Sequence, residues 1–207
     1  MKYLKRIGVC GLGLLLTSLP CSAGRVHASD AERDAAAAKA SIAALSDAER
    51  AELKSFSDRV NAYLKMEKNL PADKLSPTKN VDQLAQQRQT LRDALQQARP
   101  NAKQGDLFTP ETAAVFRKLL RATLTGPSGR KIRASLNHAE PIGPQDLKVN
   151  GVYPNVSGQP LQSVPPTMLL NLPVLPKGLE YRISGHTLTL RDEDANMVVD
   201  FLPDALP

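Results

Sequence analysis

The clearest hydrophobic pattern lies near the C-terminus, where three short runs are rich in branched or aromatic residues and the first two alternate apolar with polar. They are Leu179 to Ile183, Thr187 to Arg191 and Met197 to Phe201. Period-two alternation in branched and aromatic residues predicts half-buried strands. Between them, Ser184-Gly185-His186 and Asp192 to Asn196 supply residues that tolerate tight-turn backbone angles. The expectation is a three-stranded antiparallel meander. Leu179, Tyr181, Ile183, Leu188, Leu190, Val199 and Phe201 are expected to face a layer of helices, since so small a sheet needs cover.

Upstream the period changes to that of helices. Ser46 and Glu49 form a capping box, and Leu53, Phe56, Val60, Tyr63 and Leu64 follow at three- and four-residue spacing. A helix over 46–69 is predicted, ending before Pro71. After a linker from Pro71 to Lys79, Val81, Leu84, Leu91, Leu95 and Ala98 make a second stripe, so the two helices read as a hairpin. Thr109-Pro110-Glu111 starts a third helix with buried face Ala113, Phe116, Leu119, Leu120 and Leu124. A short helix through Ile132 and Leu136 follows Gly126 to Gly129. The stretch 138–176 is too rich in Pro and Gly for long elements, leaving room for a short strand at 149–153 and a helical turn at 167–172. The fold class is therefore α+β: an N-terminal helical hairpin and a further helix packed on a small C-terminal meander.

The first 28 residues change the composition. Lys2, Lys5 and Arg6 precede an apolar run from Ile7 to Leu19, and small residues follow Pro20. That is the layout of a secretory signal peptide, with cleavage after Ala23 or Ala28. The run has 13 residues, short for a membrane span. Removing 1–28 takes four of the 27 Lys and Arg and none of the 21 acids, so the net charge falls from +6 to +2. The basic balance that would suggest nucleic acid disappears with it. Cys10 and Cys21 also lie in this segment, which removes disulfides, thiol nucleophiles and thiolate metal sites from the mature chain. Residues 29–45 are Ala-rich with little to bury and read as a mobile or loosely docked leader. Residues 46–207 read as one domain, a size sufficient for an ordinary core.

Candidate chemistry is sparse. Asp192, Asp194 and Asn196 have the spacing of the first three ligands of a calcium loop, but Met197 stands where Gly belongs and Pro203 where the closing Glu belongs. Gly126, Ser128, Gly129 and Arg130 resemble an anion-cradling loop before a helix, without the full phosphate-loop spacing. His138 and His186 are far apart in sequence, no G-x-S-x-G elbow occurs, and no spacing fixes a carboxylate pair such as Glu180 with Asp192. No cofactor is implied. The reading is a non-enzymatic exported binding or adaptor module whose partner is an envelope protein. The alternatives are an envelope hydrolase with an acidic site near Asp192–Asn196 and a metal buffer using Asp192, Asp194 and Asn196.

Two stretches carry a resemblance: Ala98 to Pro110 (ARPNAKQGDLFTP), and Leu172 to Arg182 (LPVLPKGLEYR) with Gly185, Asp192, Ala195, Asn196 and Asp200. They resemble a family of uncharacterised exported bacterial proteins, which implies a periplasmic or secreted location and assigns no activity. The Leu-Pro-x-Gly start and Tyr-Arg-x-x-Gly turn of the tail are also similar to periplasmic RcnB-type metal-homeostasis proteins.

Overall fold

A computed structural model describes residues 28–71, 78–136, 142–154 and 164–206. The expected signal segment through residue 27, most of the linker at 72–77, His138 and two parts of the Pro-rich stretch lie outside these residues. The described chain is α+β, with helices first and a three-stranded sheet last. In order it runs α1 (Asp30–Ala43), α2 (Asp47–Lys68), α3 (Val81–Ala98), α4 (Pro110–Thr125), α5 (Gly129–Leu136), a 3-10 turn at Pro144–Asp146, α6 (Pro166–Leu169), β1 (Leu179–Ser184), β2 (Thr187–Asp192) and β3 (Met197–Leu202).

Local chemistry sets the helix starts. Ser46 accepts the Glu49 amide while the Glu49 carboxylate accepts the Ser46 amide, and Ser29 and Glu32 repeat the device ahead of α1. Such reciprocal caps satisfy two amides that have no partner within the helix. Thr109 accepts the Thr112 amide, and Pro110 at the first helical position loses no hydrogen bond there.

The sheet is an antiparallel meander in the order β1-β2-β3. Tyr181 pairs with Leu190 and Ile183 with Leu188, so these four share the face turned to the helices. Phe56, Phe108 and Phe116 pack there with ring centres 4.9 to 5.3 Å apart, and Tyr181 meets Phe116 at 6.2 Å. Buried side chains of α2, α3, α4, α5, α6 and all three strands share one core.

Phe201 departs from expectation. The pairing of β2 with β3 shifts between Leu190 and Arg191: Leu190 opposes Asp200, whereas Arg191 opposes Val198. This bulge places Val199 with the helical core and turns Val198 and Phe201 to the opposite face, where Ile142, Leu147 and Tyr153 cover them. That second face is therefore buried too, and beside this apolar cluster it carries polar side chains. Arg182 and Arg191 lie over the Tyr153 ring at 5.9 and 5.4 Å, and the Tyr153 and Ser184 hydroxyls are 3.0 Å apart. The short strand expected at 149–153 is reduced to one bridge, Val152 with Met197. Backbone bonds from Asn150 to Val198, Tyr153 to Asn196 and Val198 to Gly151 cover the β3 edge, which otherwise would be open to pairing with another strand.

The Ala-rich stretch is a second correction. It has something to bury: α1 seats Asp34 and Ala38 against the body of the protein, and Leu45 packs with Val115 and Leu119 of α4. A low-hydrophobicity helix docks here because a buried polar contact, described below, supplements its few apolar ones.

Candidate functional site

The acidic turn after β2 is built inward. Asp192 is buried, and its two oxygens are engaged: Oδ2 accepts the Tyr63 hydroxyl at 2.6 Å and Oδ1 accepts the Ala195 amide at 2.7 Å. Arg92 of α3 closes the same turn by donating to the Ala195 carbonyl at 2.7 Å. Burial holds the Asp192 carboxyl above its ordinary value, with Asp194 adding to the rise, against the pull of those hydrogen bonds. Asn196 adopts φ +48 and its Oδ1 accepts from Nε and Nη2 of Arg191 at 2.9 and 2.7 Å. Asp194 is exposed. The three side chains expected as ligands thus have three different tasks: one ties the turn to α2, one ties it to β2, and one faces solvent. Among the described residues, no three His, Cys, Asp or Glu side chains are placed to hold a metal ion.

Glu67 stands one helical turn beyond Tyr63 on α2. Its carboxyl is pushed up to about 7 by burial first, then by the negative charges of Asp192 and Asp194, with Lys68 pulling the other way. Sequence spacing within α2 gives no sign of this, because the acids that act on Glu67 come from a turn more than a hundred residues later.

The loop expected to cradle an anion holds a carboxylate of the protein itself. Ser128 donates its amide to Asp34 Oδ1 at 3.1 Å and its hydroxyl to Oδ2 at 2.6 Å. Gly129 donates back to the Gly126 carbonyl at 3.0 Å, closing the turn. A Cβ on Gly129 would lie 2.0 Å from the Leu124 carbonyl oxygen, so close helix packing accounts for glycine there. Arg130 is exposed and Ser128 is buried. The anion expected at Gly126, Ser128, Gly129 and Arg130 is in this structure Asp34, delivered by α1.

A third buried carboxylate is not legible in the sequence. Asp200 on β3 accepts the amides of Gly105, Leu107, Phe108 and Phe201 at 2.8 to 2.9 Å. Gly105 has φ +89, a conformation that aims its amide inward at little cost only for glycine. Burial raises the Asp200 carboxyl and the four amides oppose that rise. This is a clamp between the loop ahead of α4 and the sheet.

The open surfaces lie elsewhere. A cleft of about 330 Å³ runs beside β1, lined by Val164, Leu169, Val174, Leu175, Tyr181 and Arg182, with Pro173, Leu179 and Glu180 completing it. That volume is at the lower end of the range in which small ligands or single large side chains are held. Its lining is mostly apolar. The one acid in it, Glu180, is bonded to Arg191 and lies 3.8 Å from Arg182. A second cleft of about 260 Å³, just past the end of α6, is lined by Ala35, Ala38, Lys39, Ile42 and Leu170. Leu169 and Leu170 are neighbours in the chain, so the two clefts share a rim. Neither Asp192 nor Asp194 lines either of them.

Comparison with protein-family models, with curated proteins and with solved structures finds no match to this chain.

Proposed function

We propose that the chain is an exported bacterial protein that works as a non-enzymatic binding or adaptor module in the cell envelope. Its binding surface is the apolar rim shared by the two clefts around α6. The observation that carries this reading is the exposure of Val174. It is 93% exposed in the wall of an apolar cleft, with Leu169 beside it and Leu170 and Ile42 on the far side of the shared rim. An apolar surface left open beside a well-packed core fits a partner site. The buried carboxylates support the same reading from the other side. Asp34, Asp192 and Asp200 spend their oxygens on Ser128, Tyr63 and main-chain amides, as structural ties do.

The test is a photo-reactive amino acid placed at Val174 and, as a control, at Val81, which is also exposed (78%) but starts α3. The expected result in intact cells is a defined envelope adduct from position 174, lost when Leu170→Asp is added, and none from position 81. Equal labelling from both positions, or labelling unaffected by Leu170→Asp, overturns the proposal.

A further inference from the structure

The sheet has two edges, and they are finished differently. Along β3, residues Asn150 to Tyr153 exchange main-chain hydrogen bonds with Asn196 and Val198. Along the outer edge of β1, no segment pairs in this way among the described residues. We propose that this edge takes an extended peptide of a partner protein as a fourth strand, with apolar side chains at alternate positions of the peptide. The inference rests on the binding surface assigned above, since Leu169 and Val174 wall the cleft beside β1, and it names what enters that cleft.

The direction of the main-chain groups follows from the register. Gly178 accepts the Glu193 amide at 2.8 Å, and the two-residue turn Gly185-His186 closes the hairpin between the paired Ser184 and Thr187. Antiparallel neighbours alternate between pairs that exchange both hydrogen bonds and pairs that exchange none. Glu180, Arg182 and Ser184 therefore bond to β2 through the main chain, while Leu179, Tyr181 and Ile183 turn their main-chain groups outward. The Leu179 amide shows this directly, because it donates to the Pro176 carbonyl at 3.3 Å and not to β2. The Leu179 carbonyl and both main-chain groups of Tyr181 and Ile183 have no partner among the described residues.

The cleft follows this edge. Leu179 and Tyr181 send their side chains to the helical core, and Glu180 and Arg182 send theirs to the other face, yet all four line the same cleft. Side chains alternate across a strand, so a cleft that touches four consecutive residues runs beside the main chain. The outward groups of Tyr181 thus open into a space walled by Val164, Leu169, Val174 and Leu175. Tyr181 keeps only 6% of its surface exposed, and main-chain groups left unpaired in such a place are costly. An added strand meets both conditions. Its amides and carbonyls pair with those of Tyr181 and its neighbours, and every second side chain of the peptide meets the apolar wall. β1 also lacks the usual deterrents to edge pairing, having no proline, no lysine and no bulge against β2. A single peptide suits the cleft better than a second copy of the chain, whose β1 would arrive with the same wall of Pro173 to Leu175 beside it.

The experiment is amide hydrogen exchange of the purified protein, read by NMR, alone and with end-blocked peptides in which Val, Leu or Ile alternates with Thr. Alone, the Tyr181 and Ile183 amides are expected to exchange faster than those of Glu180 and Arg182. With peptide at about ten times its dissociation constant, exchange at Tyr181 and Ile183 is expected to slow about tenfold. Fully N-methylated versions of the peptides keep the side chains and lose the donors, and they are expected to give no protection. Equal protection by the N-methylated peptides, no protection by any peptide, or slow exchange at Tyr181 and Ile183 without peptide overturns the proposal. Protection that grows with protein concentration in the absence of peptide, with a dimer in sedimentation, assigns the edge to a second copy and overturns it as well. If the peptides fail while the adduct from position 174 is a defined protein lost in Leu170→Asp, strand pairing falls and the binding surface stands. If the peptides protect and that adduct is absent, pairing at β1 stands and the rim falls. If both fail, so do both readings.

Discussion

The hydroxyl of Tyr63 donates to the carboxylate of Asp192 at 2.6 Å, joining positions 129 residues apart. Tyr63 belongs to the helical stripe and Asp192 to the acidic turn, and this bond holds one to the other. Tyr63→Phe keeps the ring in place and leaves a buried oxygen of Asp192 without a donor. The expected cost is about 2 kcal/mol, the range for a hydrogen bond to a charged group. Urea unfolding of the two proteins measures it, and an unchanged midpoint would show that the bond contributes nothing net.

Asp200 is the more demanding position, because one carboxylate serves four amides. Asp200→Asn substitutes an NH2 for one acceptor and sets it against main-chain donors. A loss of about 3 kcal/mol is expected, larger than that of Tyr63→Phe, because buried amides are left unpaired. Thermal unfolding with both variants in parallel tests the ranking.

Asp34→Ala removes the acceptor of both Ser128 donors. Its effect is expected to be local. Amide hydrogen exchange in α1 should rise well above that in α4, since α1 has few apolar contacts to hold it once the polar tie is cut. Uniform acceleration across the chain would mean that α1 is integral to global stability.

The Glu67 carboxyl gives a pH dependence whose sign follows from its position. Folded, it holds its proton up to about pH 7, and its ordinary value is 4.5. Between these values the folded chain binds more protons than the unfolded chain, so stability falls as pH rises through that window. The raised carboxyls of Asp192 and Asp200 act in the same direction from 3.8 upward. Glu67→Gln cannot ionise, and its stability is expected to vary less between pH 4.5 and 7. Denaturant midpoints across that range check this, and an identical slope in the variant would remove Glu67 as the cause.

Local signals are legible in the amino-acid sequence. The Ser46 and Glu49 box, Pro110 at its helix start and the alternation in β1 and β2 each depend on residues within a few positions of one another. Features that depend on distant partners are not. Alternation assigns Phe201 to the helical face because nothing in the strand announces the bulge opposite Leu190 and Arg191. Residues 29–45 read as having little to bury because Asp34 finds its donors at Ser128, 94 residues on. Asp192 is recognisable as notable, but its spacing suggests a ligand where the fold makes a tie to Tyr63. The rim at Ile42, Leu169, Leu170 and Val174 has no sequence signature, since exposure of an apolar residue is a property of the folded surface.

The most direct test sets that rim against the acidic turn. Association with the cell envelope would be measured for Leu170→Asp and for Asp194→Ala, both of which alter exposed side chains. The account predicts that Leu170→Asp releases the protein while Asp194→Ala leaves it in place. Release by Asp194→Ala with retention of Leu170→Asp would contradict it and move the functional surface to the turn after β2.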